Sequence, residues 1–442
     1  MNTFSGFPYC EIQFTKEANV FDPQETERLK TVLKEQNITD LFILSHGWNN
    51  DMSEARQLYK RLVAKIADEA KGLGGERKYA VAGILWPSKK FAEKELIAGG
   101  GSASLLAGAP NAESVMLLGQ LENLHNFFDG DTANEILEDA KSTVPLLEND
   151  ADAQIKFVNR LNDLINQAIN KETSGIDGEP AANFSNAIQK DLLVKLSDDH
   201  SGEAVNTGGA AGLGGIDHMG SAAGIGDFFG GLFSGARNLL NYVTFFQMKE
   251  RAGKVGSKGL NPVLKDIRAQ IPAVKLHLIG HSFGARVVTA AVAGTDEKDT
   301  LSVNTLTLLQ AAFSHYGFSE KYETSKNGFF RRVISQGKVS GPILITCTHN
   351  DTAVGLAYAI ASRIGRQVAE GVGAADDIFG GMGGNGAQKT PEANNDFNLE
   401  NNTFDFKKGV IYNLNADACI SDHSDICKAE VGKAILAAVA VE

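Results

Sequence analysis

Residues 274–294 read VKLHLIGHSFGARVVTAAVAG. The first six form an apolar run of the kind that makes a strand buried on both faces. From Ala285 to Ala293, small and β-branched residues continue at helix length, and Gly294 ends them. Between strand and helix, Gly280-His281-Ser282-Phe283-Gly284 fits G-x-S-x-G. Alone that pentapeptide is weak. Its setting makes it a serine on a sharp strand-to-helix turn. Such a turn needs small flanking residues, so Gly280 and Gly284 belong to its geometry. The turn exposes the Ser282 oxygen at the carboxyl edge of a sheet. It also aims the Phe283 backbone N–H at a developing oxyanion.

Working outward, similar apolar runs recur at Glu11–Phe14, Leu41–Ser45, Tyr79–Trp86, Val303–Leu309, Ile343–Thr348 and Gly409–Leu414. Helical patterns lie between them at Pro23–Gln36, Met52–Ala70, Ala353–Val368 and Ala429–Val441. Alternating strand and helix predicts an α/β fold with a mostly parallel central sheet flanked by helices. The alternation breaks after Trp86 and resumes only at Val274. The interval carries a helical stripe, Ile155, Val158, Leu161, Leu164, Ile165, Ala168 and Ile169, with further helical patterns at 113–128, 183–197 and 238–252. The chain therefore divides into a core over residues 8–90 and 236–442 and a helical cap or insert over 91–235. The insert ends in a glycine-rich segment and precedes the strand that carries Ser282.

A serine hydroxyl is a poor nucleophile unless a base takes its proton. In this turn arrangement the partners follow in the order serine, acid, histidine. Of nine histidines, only His281, His315, His349 and His423 lie at or beyond the turn. His281 adjoins the serine and is expected to point away. Asp351 follows the strand ILITC closely, and His423 alone remains after it. The order therefore selects Ser282, Asp351 and His423. Asp417, Asp422 and Asp425 are rival acids, but residues crowded around a histidine in sequence rarely orient its ring. A second oxyanion donor is expected from an early strand-to-helix loop. His46-Gly47-Trp48-Asn49-Asn50 follows such a strand, with the Trp48 N–H as candidate and Gly47 as rival. His46 is read as a brace for that loop.

Composition sets limits. Lys and Arg number 42 against 54 Asp and Glu, a net charge of −12, and no basic cluster is present. That argues against nucleic acid as a partner. Residues 97–108, 202–235 and 371–386 hold 23 of the 47 glycines. There is no G-x-y period, and 43% of residues are hydrophobic, so the chain is globular with three glycine-rich interruptions. One of them, Ile225–Gly235, mixes glycine with phenylalanine and reads either as a lid or as a linker docked on the core. Cys10, Cys347, Cys419 and Cys427 make no disulfide framework, although Cys419 and Cys427 stand near enough in sequence to pair. No signal peptide and no run of 18 apolar residues are present, so the expected location is cytoplasmic by default, with signal-independent export left open. No HExxH occurs, so no metal is expected. Gly383–Thr390 lacks the strand of a phosphate loop, and Asn37 and Asn401 are glycosylation acceptors only on a secretory route.

The segments ILSHGWNND, GILWPS, HLIGHSFGARV, THNDTAVG and NADACISDHSDI resemble the α/β-hydrolase superfamily. They look like a group of bacterial serine hydrolases labelled esterases, lipases or serine peptidases. The resemblance covers roughly residues 8–90 and 236–442. It implies a nucleophile elbow, a catalytic triad with an acyl-enzyme, an oxyanion hole, and no cofactor. It favours a carboxylic-ester hydrolase acting on a small-molecule or lipid ester, with membrane-surface contact and oligomeric state open. A serine peptidase or amidase, a phospholipase at a lipid surface, and a binding scaffold without catalysis are the other readings. One departure stands out: many lipases place a lid after the strand that follows the nucleophile helix, whereas here the large insert comes before the nucleophile strand.

Overall fold

The computed structural model describes residues 2–71, 77–88, 112–128, 130, 132–168, 193, 232–322, 325–354, 380–401 and 403–442. Its centre is a sheet of β1 (Thr3–Phe4), β2 (Phe7–Gln13), β3 (Asp40–Ser45), β4 (Tyr79–Leu85), β5 (Lys275–His281), β6 (Thr305–Leu309), β7 (Ile343–Cys347), β8 (Ala393–Asn398) and β9 (Ile411–Asn415). The order across it is β1-β2-β4-β3-β5-β6-β7-β9-β8. Only β1 and β2 pair antiparallel. The main helices are α1 (Pro23–Glu35), α2 (Met52–Ala70), α3 (Ala112–Glu122), α4 (Ala133–Thr143), α5 (Ala151–Ala168), α6 (Leu232–Lys254), α7 (Asn261–Gln270), α8 (Phe283–Ala293) and α9 (Ala429–Ala440). This is an α/β architecture with a mostly parallel sheet between helices.

Each central strand feeds two cores, because successive side chains leave a strand on opposite faces. Leu41 and Ile43 of β3 join Leu29 and Leu33 of α1 and Val287 and Val288 of α8. Phe42 and Leu44 join Tyr59 and Val63 of α2 and Val431 and Ile435 of α9. Burial on both faces explains why these strands read as unbroken apolar runs. Helix starts follow local chemistry. Asp22 caps α1 ahead of Pro23, and Asp51 and Glu54 form a reciprocal capping box at the start of α2.

The strand order places the site. From β3 the chain moves outward to β4, and from β5 it moves the other way through β6 to β7. Adjacent β3 and β5 thus form a reversal point, and the carboxyl ends of strands at such a point open a crevice. Ser45 at the end of β3 pairs with Gly280 near the end of β5. The loop after β3 and the turn after β5 therefore lie side by side.

Between β4 and β5, α3, α4 and α5 bury Leu117, Leu121, Leu137, Phe157, Leu161 and Leu164 in the same apolar cluster as Leu239 and Val243 of α6. Of the stripe read in 155–169, Val158, Leu161, Leu164 and Ile165 are buried on α5 and Ile155 is half-buried, while Ile169 lies outside the described residues. Two helices and two strands were not legible. α7 continues from α6 through a wide turn, Val255–Leu260, with Pro262 in its first turn but no side-chain cap. α4 has no side-chain cap. β1 is two residues long. β8 is the polar segment ANNDFN, which pairs only with β9 and slips register between Asn394 and Phe397. The glycine cluster 97–108, residues 202–231 of the second and 371–379 of the third lie outside the described residues. So do residues 183–197 apart from Leu193, the helical pattern beyond Val354, and most of the lid-or-linker segment. All four cysteines are free thiols, so Cys419 and Cys427 do not pair. Among the described residues no helix is long and apolar enough to cross a membrane.

Candidate active site

Ser282 is the single residue between β5 and α8. Its backbone sits at φ 57°, ψ −125°, a strained conformation for a residue with a side chain. Three hydrogen bonds hold it there. Its N–H donates to the Leu309 carbonyl at 3.0 Å, and its own carbonyl accepts from Ala285 N at 3.0 Å and Ala312 N at 3.2 Å. The flanking glycines are required by contact. A Cβ on Gly280 would stand 2.3 Å from the Gly284 carbonyl oxygen, and one on Gly284 would stand 2.1 Å from that of Ser45. Both obstacles are backbone. Helix α8 therefore begins at Phe283, two residues before its apolar pattern does. As the first helical residue, Phe283 has no carbonyl one turn back for its N–H.

The loop after β3 lies on this serine. A Cβ on Gly47 would be 2.7 Å from Ser282 Cβ and 3.2 Å from its Oγ. His46 braces the loop. Its Nδ1 lies 2.9 Å from the Gly47 carbonyl oxygen, and its Nε2 accepts from the Trp86 N–H at 3.3 Å. Trp86 Nε1 donates to the His46 carbonyl at 3.0 Å, and the His46 N–H donates to Tyr59 Oη at 2.9 Å. The ring stacks on Trp86 at 5.5 Å. Burial drives the His46 pKa down to about 4, so the ring is neutral. The Trp48 indole packs against Phe245 of α6 and Phe283, at 6.1 and 6.0 Å between ring centroids. Its Nε1 is buried and unpartnered. Gly47, one of the two residues read as oxyanion donors, stands against Ser282.

The acid and the histidine meet across 72 positions of chain. His423 Nδ1 lies 2.8 Å from Asp351 Oδ2, and both side chains are buried. The second carboxylate oxygen of Asp351 accepts from Val354 N at 3.0 Å. Gln310, at the end of β6, stands 3.5 Å from Oδ2 and is itself held by Thr346 at 2.9 Å. With Nδ1–H facing a carboxylate, Nε2 of His423 carries the free lone pair. That nitrogen is buried and makes no hydrogen bond. Ser282 and His423 are thus not joined by a hydrogen bond here. Such contacts commonly form only once substrate is bound.

The rival acids are engaged elsewhere. Asp417 accepts from Thr348 Oγ1 at 2.8 Å, from His349 N at 2.8 Å, and faces His349 Nδ1 at 2.9 Å. Burial alone would raise its pKa, but the bonds from His349 and Thr348 outweigh that and bring it to about 2. Asn350 Nδ2 donates to the Asp417 and Ile420 carbonyls at 3.0 and 2.8 Å. These bonds tie the Asp351 loop to the His423 loop. Asp425 pairs with Ser421 and Lys428, and Asp422 accepts from Ser424 N.

His281 has a definite role in this geometry. Its Nε2 lies 2.8 Å from the His423 carbonyl oxygen, and the two rings are 4.9 Å apart. Burial, with the neighbouring His423 adding to it, drives its pKa down to about 3. Sequence reasoning also missed Gln310, Tyr59, Trp86 and Asn350. GILWPS hinted at Trp86. The others carry no local motif, because their partners come from distant strands. Among the described residues no group of three or more His, Cys, Asp or Glu is placed to hold a metal ion. Comparison with protein-family models, curated proteins and solved structures gives no match.

Proposed function

We propose that this chain is a serine hydrolase of the α/β-hydrolase type that cleaves carboxylic esters through an acyl-enzyme. The observation that carries the reading is the buried Asp351–His423 pair at 2.8 Å, set beside a serine on a strained strand-to-helix turn. Strain at one residue, an oriented imidazole and unpaired polar atoms collect where catalysis would use them.

The reaction follows from the roles of these groups. His423 Nε2 takes the Ser282 proton as Oγ attacks the ester carbonyl. The oxyanion is held by the Phe283 N–H and an N–H of the Gly47-Trp48 loop. Asp351 keeps the proton of His423 on Nδ1 and stabilises the imidazolium. His423 then gives its Nε2 proton to the leaving alkoxide. Water, deprotonated by His423, attacks the acyl carbonyl and releases the acid and Ser282. The substrate is a small-molecule or lipid ester, and no cofactor takes part.

The test is a panel of nitrophenyl esters of graded chain length, a phospholipid and a peptide anilide, run on wild type and Ser282→Ala. Ester turnover by the wild type and its loss by several orders of magnitude in a folded Ser282→Ala is the expected result. Most of the activity surviving in that variant would exclude Ser282 as nucleophile. Preferential turnover of the anilide would shift the reading to an amidase.

A further inference from the structure

We propose that His281 is a positioning residue that holds the general base His423 by its backbone. This rests on the hydrolase reading above, in which His423 is the base. His423 is restrained at two points. Its ring is held by Asp351 at 2.8 Å, and its carbonyl accepts from His281 Nε2 at 2.8 Å. The first bond fixes which nitrogen carries the proton. The second fixes where the residue sits, because it ties the tip of the loop after β9 to the last residue of β5. Ser282 is the next residue in the chain, so the nucleophile and the anchor of its base share one rigid strand end.

The residue type argues the same way. His281 is buried, and once Nε2–H donates to the carbonyl its Nδ1 is left buried without a partner. An orphaned polar nitrogen is costly. An apolar side chain would fill the space without that cost. Packing alone therefore does not account for a histidine here, whereas the bond to His423 does. The ring also stays neutral as its neighbour gains a proton. The titratable groups that face it are His423, Asp351 and, further off, His46. A second cation beside the His423 imidazolium would oppose base catalysis, and a buried neutral ring avoids it.

The test compares His281→Gln with His281→Asn. The glutamine amide reaches the position of Nε2–H, while asparagine has similar polarity but falls short by one methylene. Two readouts are taken on folded protein: the far-downfield proton resonance of His423 Nδ1–H against Asp351, and kcat and KM on nitrophenyl acetate. His281→Asn is expected to broaden or lose the resonance and to lower kcat roughly tenfold or more with little change in KM. His281→Gln is expected to keep the resonance and most of kcat. Equal behaviour of the two variants, or a wild-type resonance and kcat in His281→Asn, overturns the inference. The resonance separates this proposal from the hydrolase reading. If the wild type cleaves no ester, that reading fails. The anchoring of His423 is then still supported if the signal is lost in the asparagine variant and kept in the glutamine variant, and overturned if it is not.

Discussion

Acidification from pH 7 to pH 5 tests the buried histidines directly. In the unfolded chain each takes up a proton near pH 6.5. In the folded chain His46 is held at about 4 and His281 at about 3, both chiefly by burial. The folded pKa is depressed, so the unfolded state binds more protons across this window and stability falls as pH falls. Each ring then lowers the unfolding free energy by about 2 kcal/mol, and the two together by about 4 kcal/mol. The result is insensitive to the folded value, since any ring that is still neutral at pH 5 contributes the same amount. His277 is also lowered, by burial outweighing its bond to Asp40, and acts in the same direction. Glu25, raised by its own burial, opposes it. Asp417, at about 2, stays charged throughout. Urea unfolding at pH 7, 6 and 5, followed by the fluorescence of buried Trp48 and Trp86, reads the change. In His281→Gln about half of the two-ring loss should disappear. Unchanged or rising stability down to pH 5, or ring resonances of His46 and His281 titrating near 6.5, would refute the reasoning.

Gly284→Ala drives a Cβ to 2.1 Å from the backbone oxygen of Ser45, the last residue of β3, so strand and helix would be forced apart. It is expected to cost roughly 3 kcal/mol or more, or to prevent accumulation of folded protein, as read by urea unfolding. Gly47→Ala puts a Cβ 2.7 Å from Ser282 Cβ, an atom fixed to the strained turn, so the loop after β3 has to move away from the serine. The fold should survive, with ester turnover down on the order of 100-fold. Asp351→Asn leaves the shape of the acid but changes which proton the His423 ring carries. Its kcat should fall by about 10⁴-fold, with stability much less affected.

Much of the fold and the candidate site is legible in residues whose meaning is local. The apolar runs mark β3, β5, β6 and β7 because strands buried on both faces need no polar alternation. The pentapeptide marks the turn because only glycine fits at positions 280 and 284. Chain order picks His423, the strand-end position favours Asp351 over its rivals, and the two stand in contact. Conversely, α8 starts two residues early because the turn itself supplies its first residues, and the polar edge strand β8 escapes any hydrophobic pattern.

What the sequence by itself determined is the candidate set for the proposed chemistry, since serine, acid and histidine are residue types at spacings that a motif can record. Only the tertiary structure decided how they are held. Asp417 is a rival acid by sequence and a loop clamp in space. His281 is a neighbour of the serine by sequence and the anchor of His423 in space. Gln310 and Asn350 have no reading at all until β6, β7 and β9 stand side by side. Hydrogen bonds between distant strand ends depend on the order of strands in the sheet, and that order is a property of the packed whole rather than of any segment.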